Sequence, residues 1–312
     1  MSDTGRLGAQ VKLRQLRILV AIADHGSLVR AGRHLGISQP AVTRCLKELE
    51  DLLGLPLFLR TARGVAPTAF GARFIDHAKA MLAELRYAEE DLADVTEAHA
   101  GRVAVGTLLA AAPRLLPKAV ARLKAERPAI TVTVVEGTND RLLPALRVGD
   151  LDLVVGRLPE APEDGLDQEV LYTEPIRVVV RAGHPLAGRA GLRLADLADC
   201  QWILPLPETA LRRQIEDDFR AAGVAPPAHP IESVSILTVR TLLLETDCVG
   251  VLPSQVILAE EELNLLRALP VDLRSTLRPV GIITRAGRGL TPAAQRFADQ
   301  LRLTAADLGL PA

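Results

Sequence analysis

Residues 68–98 place the strongest constraint on how this chain can fold. Phe74, Ala78, Met81, Leu85, Ala88, Leu92 and Val95 recur at spacings of 4, 3, 4, 3, 4 and 3. A helix packed on its own domain shows a wider apolar stripe, nearer period 3.6. A sustained period of 3.5 is the seam of a helix that pairs with another helix. The pattern therefore predicts one long helix from Thr68 to about Ala98, paired along this seam. Such a rod divides the chain into a small head, 1–67, a linker, 68–100, and a larger body, 101–312. A chain of 312 residues suits about two or three domains.

The head reads as three helices. Leu16, Leu19, Val20 and Ala23 make one apolar stripe between Lys12 and Asp24, and Gly26 stops it. Ser27 can cap a short second helix that turns Leu28, Ala31 and Leu35 inward. Gly36 ends that helix and Ile37 fills the turn. Ser38 offers a cap for a third helix to about Leu53, with Pro40 in its first turn, where a missing N–H costs little. Val42, Cys45, Leu46, Leu49 and Leu53 form its buried stripe. Two short helices joined by a glycine-containing turn make a helix-turn-helix, whose second helix enters the major groove by its N-terminal residues. Here these are Ser38, Gln39, Pro40, Thr43 and Arg44. Gln and Arg can read A and G edges bidentately. Ser27, Arg30 and Lys47 are placed to hold phosphates. A plain three-helix bundle with a solvated polar face fits the same spacing. Pro56 to Thr68 then reads as two extended stretches with a turn at Arg63-Gly64, a wing whose Arg60 and Arg63 reach the backbone or minor groove.

Charge agrees with a polyanion at this end. Residues 1–70 carry ten Lys or Arg against five Asp or Glu, a net of +5, and the remainder carries 27 against 33, a net of −6.

The run LRQLRILVAIADHGSLVRAGRHLGISQPAVTRCLKELEDLLGLPLFLRTARGVAPTAFG resembles the DNA-binding head of the LysR-type transcriptional regulators. SQPAVTR, GLPLFLR and the T-x-x-G of Thr68 to Gly71 carry the resemblance. Gly32 departs from it, standing where the family has a second alanine; it should loosen the second helix by ~1 kcal/mol without touching a contact residue. The resemblance implies a cytoplasmic regulator that binds double-stranded promoter DNA as a dimer of dimers and answers a small-molecule inducer, with RNA polymerase as a candidate further partner. It implies reading roles for Ser38, Gln39, Pro40, Thr43, Arg44, Arg60 and Arg63. The VKLRQLR start and RGVAPT wing are similar to the branch governing sugar uptake and aromatic-acid catabolism.

The body alternates strand-like and helix-like segments, the pattern of a parallel α/β sheet. Strands are expected near 103–105, 130–135, 151–155, 176–180, 202–204, 249–252 and 277–284. Helices are expected over 113–126, 140–148, 211–222, 236–244 and 291–303. Two such series, with the chain returning at the end, suggest two lobes with a cleft between them: 101–173 with 272–312, and 174–271. The family resemblance implies the same architecture, an effector domain like a periplasmic binding protein, and the GHPLAG of Gly183 to Gly188 is typical of it. Ligands of open α/β sheets bind beyond the carboxyl ends of strands, near helix N-termini. That rule selects Thr107 to Ala111, with Ala110 among them, then Thr138, Asn139, Arg157, Pro205, Leu206, Pro207, Thr209 and Ser233. Thr138 and Thr209 read equally as helix caps. Arg157 can clamp a carboxylate or phosphate, or pair with Glu160 or Glu163. Ala110 stands where aromatic-acid sensors of the family commonly carry a hydroxyl, which disfavours that effector class.

Nothing in the sequence supports an enzyme. G-x-S-x-G, H-E-x-x-H, G-x-x-x-x-G-K-[ST] and G-x-G-x-x-G are missing, so no cofactor is expected. Six scattered histidines show no metal-ligand spacing, and three cysteines, Cys45, Cys200 and Cys248, form no C-x-x-C. A redox switch between Cys200 and Cys248 is a minor alternative to buried thiols. The polar start of the chain carries no secretory h-region, so the cytoplasm is the expected location. No apolar run reaches the ~18 residues that span a bilayer, so no membrane role is expected.

Overall fold

The computed structural model describes residues 10–62, 64–95, 101–271, 273 and 277–308, and of residues 90, 91 and 93–95 it describes the backbone. The head holds α1 (Leu13–His25), α2 (Leu28–Leu35) and α3 (Gln39–Leu53), then a hairpin of β1 (Phe58–Thr61) and β2 (Gly64–Pro67). Gly26, Gly36 and Gly54 end the three helices in the left-handed conformation. The Ser27 hydroxyl accepts from the Arg30 amide at 3.4 Å. Ser38 holds the N-cap position of α3, but its side chain makes no capping bond, contrary to expectation. Leu16, Leu19, Ala31, Val42 and Leu49 meet in the head core, and each large aliphatic so buried contributes about 1.5–3 kcal/mol.

Gly64, expected in the wing turn, lies in a strand instead. Thr61 pairs with Gly64, so Gly64 belongs to β2. Arg63 itself lies outside the described residues. Gly64 is required by a close approach: at φ +137, a Cβ there would lie 2.2 Å from the Gly26 carbonyl oxygen. Gly32 likewise does more than loosen α2. A Cβ on it would meet the Ile37 carbonyl oxygen at 2.8 Å, so its missing side chain lets α2 sit against the turn.

The T-x-x-G stretch has a physical account. The Thr68 hydroxyl donates to the Pro56 carbonyl at 2.9 Å and accepts from the Gly71 amide at 2.8 Å. A Cβ on Gly71 would lie 2.0 Å from the Leu57 carbonyl oxygen, so this glycine lets the linker helix α4 (Ala69–Val95) press on the wing base. Residues 96–98 of the expected helix lie outside the described residues. The seam is divided: Phe74 and Ala78 pack into the head core, whereas Met81, Ala88 and Leu92 face solvent.

The body contains β3 (Arg102–Thr107), α5 (Leu115–Glu126), β4 (Thr131–Glu136), α6 (Asn139–Val148), β5 (Leu153–Arg157), β6 (Leu166–Glu174), β7 (Ile176–Arg181), β8 (Trp202–Leu204), α7 (Ala210–Ala221), β9 (Ile231–Glu232), α8 (Ile236–Glu245), β10 (Val249–Pro253), α9 (Ser254–Glu262), β11 (Leu266–Ala268), β12 (Arg278–Arg285) and α10 (Pro292–Asp307). They form two five-stranded sheets, ordered β4-β3-β5-β12-β6 and β11-β7-β10-β8-β9. Both are mixed, which corrects the expectation of purely parallel sheets: β12 runs antiparallel to β5 and β6, and β7 antiparallel to β10 and β11. These are the strands entered by crossing from one sheet to the other instead of through a βαβ turn, so their direction is free to reverse. The first sheet is covered by α5 and α10 on one face and α6 on the other. The second buries Trp202 against Phe219, edge to face at 5.1 Å. Cys200 packs toward the Trp202 side of this sheet and Cys248 into the opposite core, so the two thiols do not face one another.

Candidate nucleic-acid interface and effector site

The polar face of α3 is free of the head core. Ser38, Gln39, Pro40, Arg44 and Lys47 are exposed and Thr43 is half-buried. Gln39 Nε2 donates to Thr43 Oγ1 at 2.8 Å, and that hydroxyl donates to the Gln39 carbonyl at 3.1 Å. The two side chains are thus held in one orientation one turn apart, which lowers the ordering cost of any contact they make. Arg30 and Arg60 are exposed and Ser27 half-buried. Glu50, which the sequence reading passed over, fixes the wing to α3: its Oε1 accepts from the Leu57 amide at 2.7 Å and the Phe58 amide at 3.3 Å. Its signal was a carboxylate on the half-buried side of a helix just ahead of a turn.

The body residues selected by the strand-end rule gather in two sets. In the first lobe, the Gly137 amide donates to the Thr107 carbonyl and the Leu108 amide to the Val155 carbonyl, which brings Thr107, Thr138 and the end of β5 together. Thr138 is exposed and its side chain makes no capping bond, so its expected cap is not formed; Asn139 is half-buried, with a buried Oδ1 that has no partner among the described residues. Ala110 turns its methyl into the hydrophobic core at 2% exposure. In the second lobe, Thr209 caps α7, accepting from the Arg212 amide at 3.2 Å and donating to the Leu206 carbonyl at 2.8 Å. Leu206 is half-buried and Pro207 exposed. The Ser233 amide donates to the Leu204 carbonyl. Arg212, not foreseen, joins these loops through 3.0 Å bonds to the Pro205 carbonyl and Glu232.

Arg157 takes neither acid that the sequence offered. Glu160 is held by Arg278 and by Gln214 of α7, and Glu163 by Arg147. Arg157 instead donates to the Glu174 carbonyl at 3.2 Å, at the crossing from β6 to β7. Burial pushes its pKa down to about 10, against the pull of the Glu174 charge. Glu174 is fully buried; its Oε1 accepts from the Gln255 amide at 2.7 Å and the Ser254 hydroxyl at 3.1 Å. Burial raises its carboxyl above the ordinary range, against those bonds and the charge of Arg157.

Residues 13–72 match the model for the bacterial regulatory helix-turn-helix protein, lysR family, and residues 96–306 match that for the LysR substrate binding domain. The chain is a LysR-type transcriptional regulator. Among its relatives, the transcriptional regulator GbpR of Azospirillum brasilense is 36% identical over 95% of this chain and 87% of its own. The regulator PcaQ of Agrobacterium fabrum is 39% identical over 89% of each chain. Full-length OxyR from Pseudomonas aeruginosa superposes with a TM-score of 0.74 at 26% identity, covering 94% of this chain and 95% of that one. CbnR, solved in complex with its target DNA, shares the fold at a TM-score of 0.65 and 22% identity over 94% of this chain and all of its own, 100%. The relatives are named as regulators and not as enzymes. This LysR-type regulator has no helix among its described residues long and apolar enough to cross a membrane.

Proposed function

We propose that this regulator reads promoter DNA with the N-terminal half of α3, as a dimer joined along α4 and a tetramer of two such dimers, and that a small polar or anionic metabolite held between the lobes sets how the heads lie on the DNA. The carrying observation is the solvent-facing row Ser38, Gln39, Pro40, Arg44 and Lys47, which no packing among the described residues explains. Ser27, Arg30 and Lys47 hold phosphates, and Arg60 with Arg63 follows the wing toward the minor groove. Head, linker and body divide at 1–67, 68–100 and 101–312, and the body into 101–173 with 272–312 and 174–271. Thr107, Thr138, Asn139 and Arg157 face Pro205, Leu206, Pro207, Thr209 and Ser233 across the cleft. A guanidinium at a strand end suits the carboxylate of a sugar acid or aromatic acid, and the hydroxyls suit a sugar. The ligand acts by binding one lobe arrangement more tightly than the other. A promoter-bound regulator works in the cytoplasm, beside RNA polymerase.

The test is binding of the full chain to the DNA upstream of its own coding region, against random DNA, over a salt series. Specific binding with a steep salt slope is the expected result, and the same assay then screens sugars, sugar acids and aromatic acids. Equal affinity for both DNAs at every salt concentration refutes the reading of α3.

A further inference from the structure

The linker helix does not stand clear of the body. One side of α4 is held by residues 149–152 of the first lobe. Lys79 lies 2.6 Å from Asp150 and 3.5 Å from Asp24 of α1, joining head, linker and body at one ammonium. Burial pulls the Lys79 pKa down, and the bond and charge of Asp150, with Asp24, more than offset it, leaving it raised. Further along the helix, Arg86 donates to Asp152 Oδ1 at 2.9 Å and to the Gly149 carbonyl at 3.1 Å. The Tyr87 hydroxyl donates to the same Oδ1 at 2.9 Å, and the Ala104 amide donates to Oδ2 at 2.7 Å. Asp152 is only 3% exposed. The Tyr87 ring has Arg86 at 5.0 Å and the buried Arg285 at 4.6 Å, within cation–π range. Glu84 pairs with Arg288. Gly149 has φ +82, and a Cβ there would lie 2.3 Å from that of Ala83, so the backbone of the body touches the helix. Exposed ion pairs alone hold surfaces weakly. A buried carboxylate serving Arg86, Tyr87 and its own sheet is a different matter, because parting the surfaces strips it of two donors.

This loop is also the junction of α6 with β5. The far ends of those elements are Asn139 and Arg157, and α6 is a rod of 10 residues, about 15 Å long.

We propose that Tyr87 and Asp152 form a latch that fixes α4 to the first lobe, so that the two move as one body and the heads take their spacing from that lobe. Tyr87 and Asp152 are positioning residues; neither meets DNA. A route from the cleft through α6 and β5 to the latch rests on the cleft reading above, whereas the latch itself does not.

The test uses the full chain carrying Tyr87→Phe, Lys79→Met and both together. Asp152 is left in place because it also holds β3. In the double variant, amide exchange over residues 79–89 should quicken at least tenfold. Affinity for a DNA fragment with one half-site, which reads the head alone, should stay within twofold of wild type. The bend and footprint length on full upstream DNA should change. Unchanged exchange overturns the latch, and so does faster exchange with bend and footprint as in wild type. No effector is needed, so a failed screen of sugars and acids would count against the cleft reading and leave this result intact.

Discussion

The Val65 amide in the wing donates to the Gly26 carbonyl at the end of α1, at 3.0 Å. The same carbonyl is what a Cβ on Gly64 would strike. One short segment therefore sets the angle of the wing against the helix-turn-helix. Gly64→Ala should swing the wing outward and cost about 1–3 kcal/mol through overpacking and backbone strain. Denaturant unfolding followed by far-UV circular dichroism checks the loss. Trp202, the chain's single tryptophan, lies in the second lobe and reports separately that the body is intact. Footprint edges should fade while protection at the centre of each half-site remains.

Arg44 and Lys47 are both exposed on α3, one turn apart. Arg44 lies nearer the N-terminus, the end that meets base edges. Arg44→Ala should cost about 1–3 kcal/mol on the specific site and relax base preference at one position. Lys47→Ala should weaken specific and random DNA alike and lower the salt slope by about 1. Equal losses on both DNAs for Arg44→Ala would remove it from the reading set.

Much of the head was legible because its signals are local. Gly26, Gly36 and Gly54 mark helix ends, and the apolar stripe of α3 leaves its polar face by subtraction. What escaped was contact between distant segments. Gly32 looked like a loss of helix propensity and is a close approach to Ile37. In the body, β6 was missed because LDQEVLYTE is an acid-rich strand at the edge of its sheet, paired with β12. Strand β9 has two residues and carries no periodicity. Arg157 was placed correctly at a strand end, but its neighbour Glu174 lies seventeen residues on, across the sheet, where no spacing rule reaches. Thr138 and Thr209 looked alike as caps, and of the two Thr209 makes the bond, with its hydroxyl also anchored to the Leu206 carbonyl.

Glu174 gives a pH dependence of definite sign. Its folded pKa is raised by burial, while in the unfolded chain it returns to near 4.3. The folded state thus binds this proton more tightly than the unfolded state. Above the folded pKa the native protein carries the cost of a buried charge, and that cost is relieved as pH falls through the folded pKa toward the ordinary value. Glutamine does not titrate. The melting temperature of Glu174→Gln minus that of wild type should therefore be most positive at high pH and decline as pH falls. The attraction of Arg157 acts only while Glu174 is ionised and opposes the shift, so the net raised pKa already contains it and sets the slope. A flat difference from pH 8 to pH 4.5 would show that Glu174 titrates normally.

The divided seam of α4 separates two roles that one heptad pattern had merged. Ala78 is 1% exposed in the head core, whereas Leu92 is 70% exposed. A charge at the first position is buried without a partner and should unfold the head. A charge at the second should cost the monomer nothing and break a helix pair. Leu92→Glu should break the α4 pair and sediment below the tetramer, keep wild-type affinity for one half-site, and lose about 10²–10⁴-fold on the full site, because the α4-paired second head no longer binds intramolecularly. Ala78→Glu should lose half-site binding as well, with Trp202 fluorescence unchanged. If Leu92→Glu sediments as the wild type does, the exposed stretch of α4 is not the dimer contact, and the 3.5 period does not mark a helix pair there.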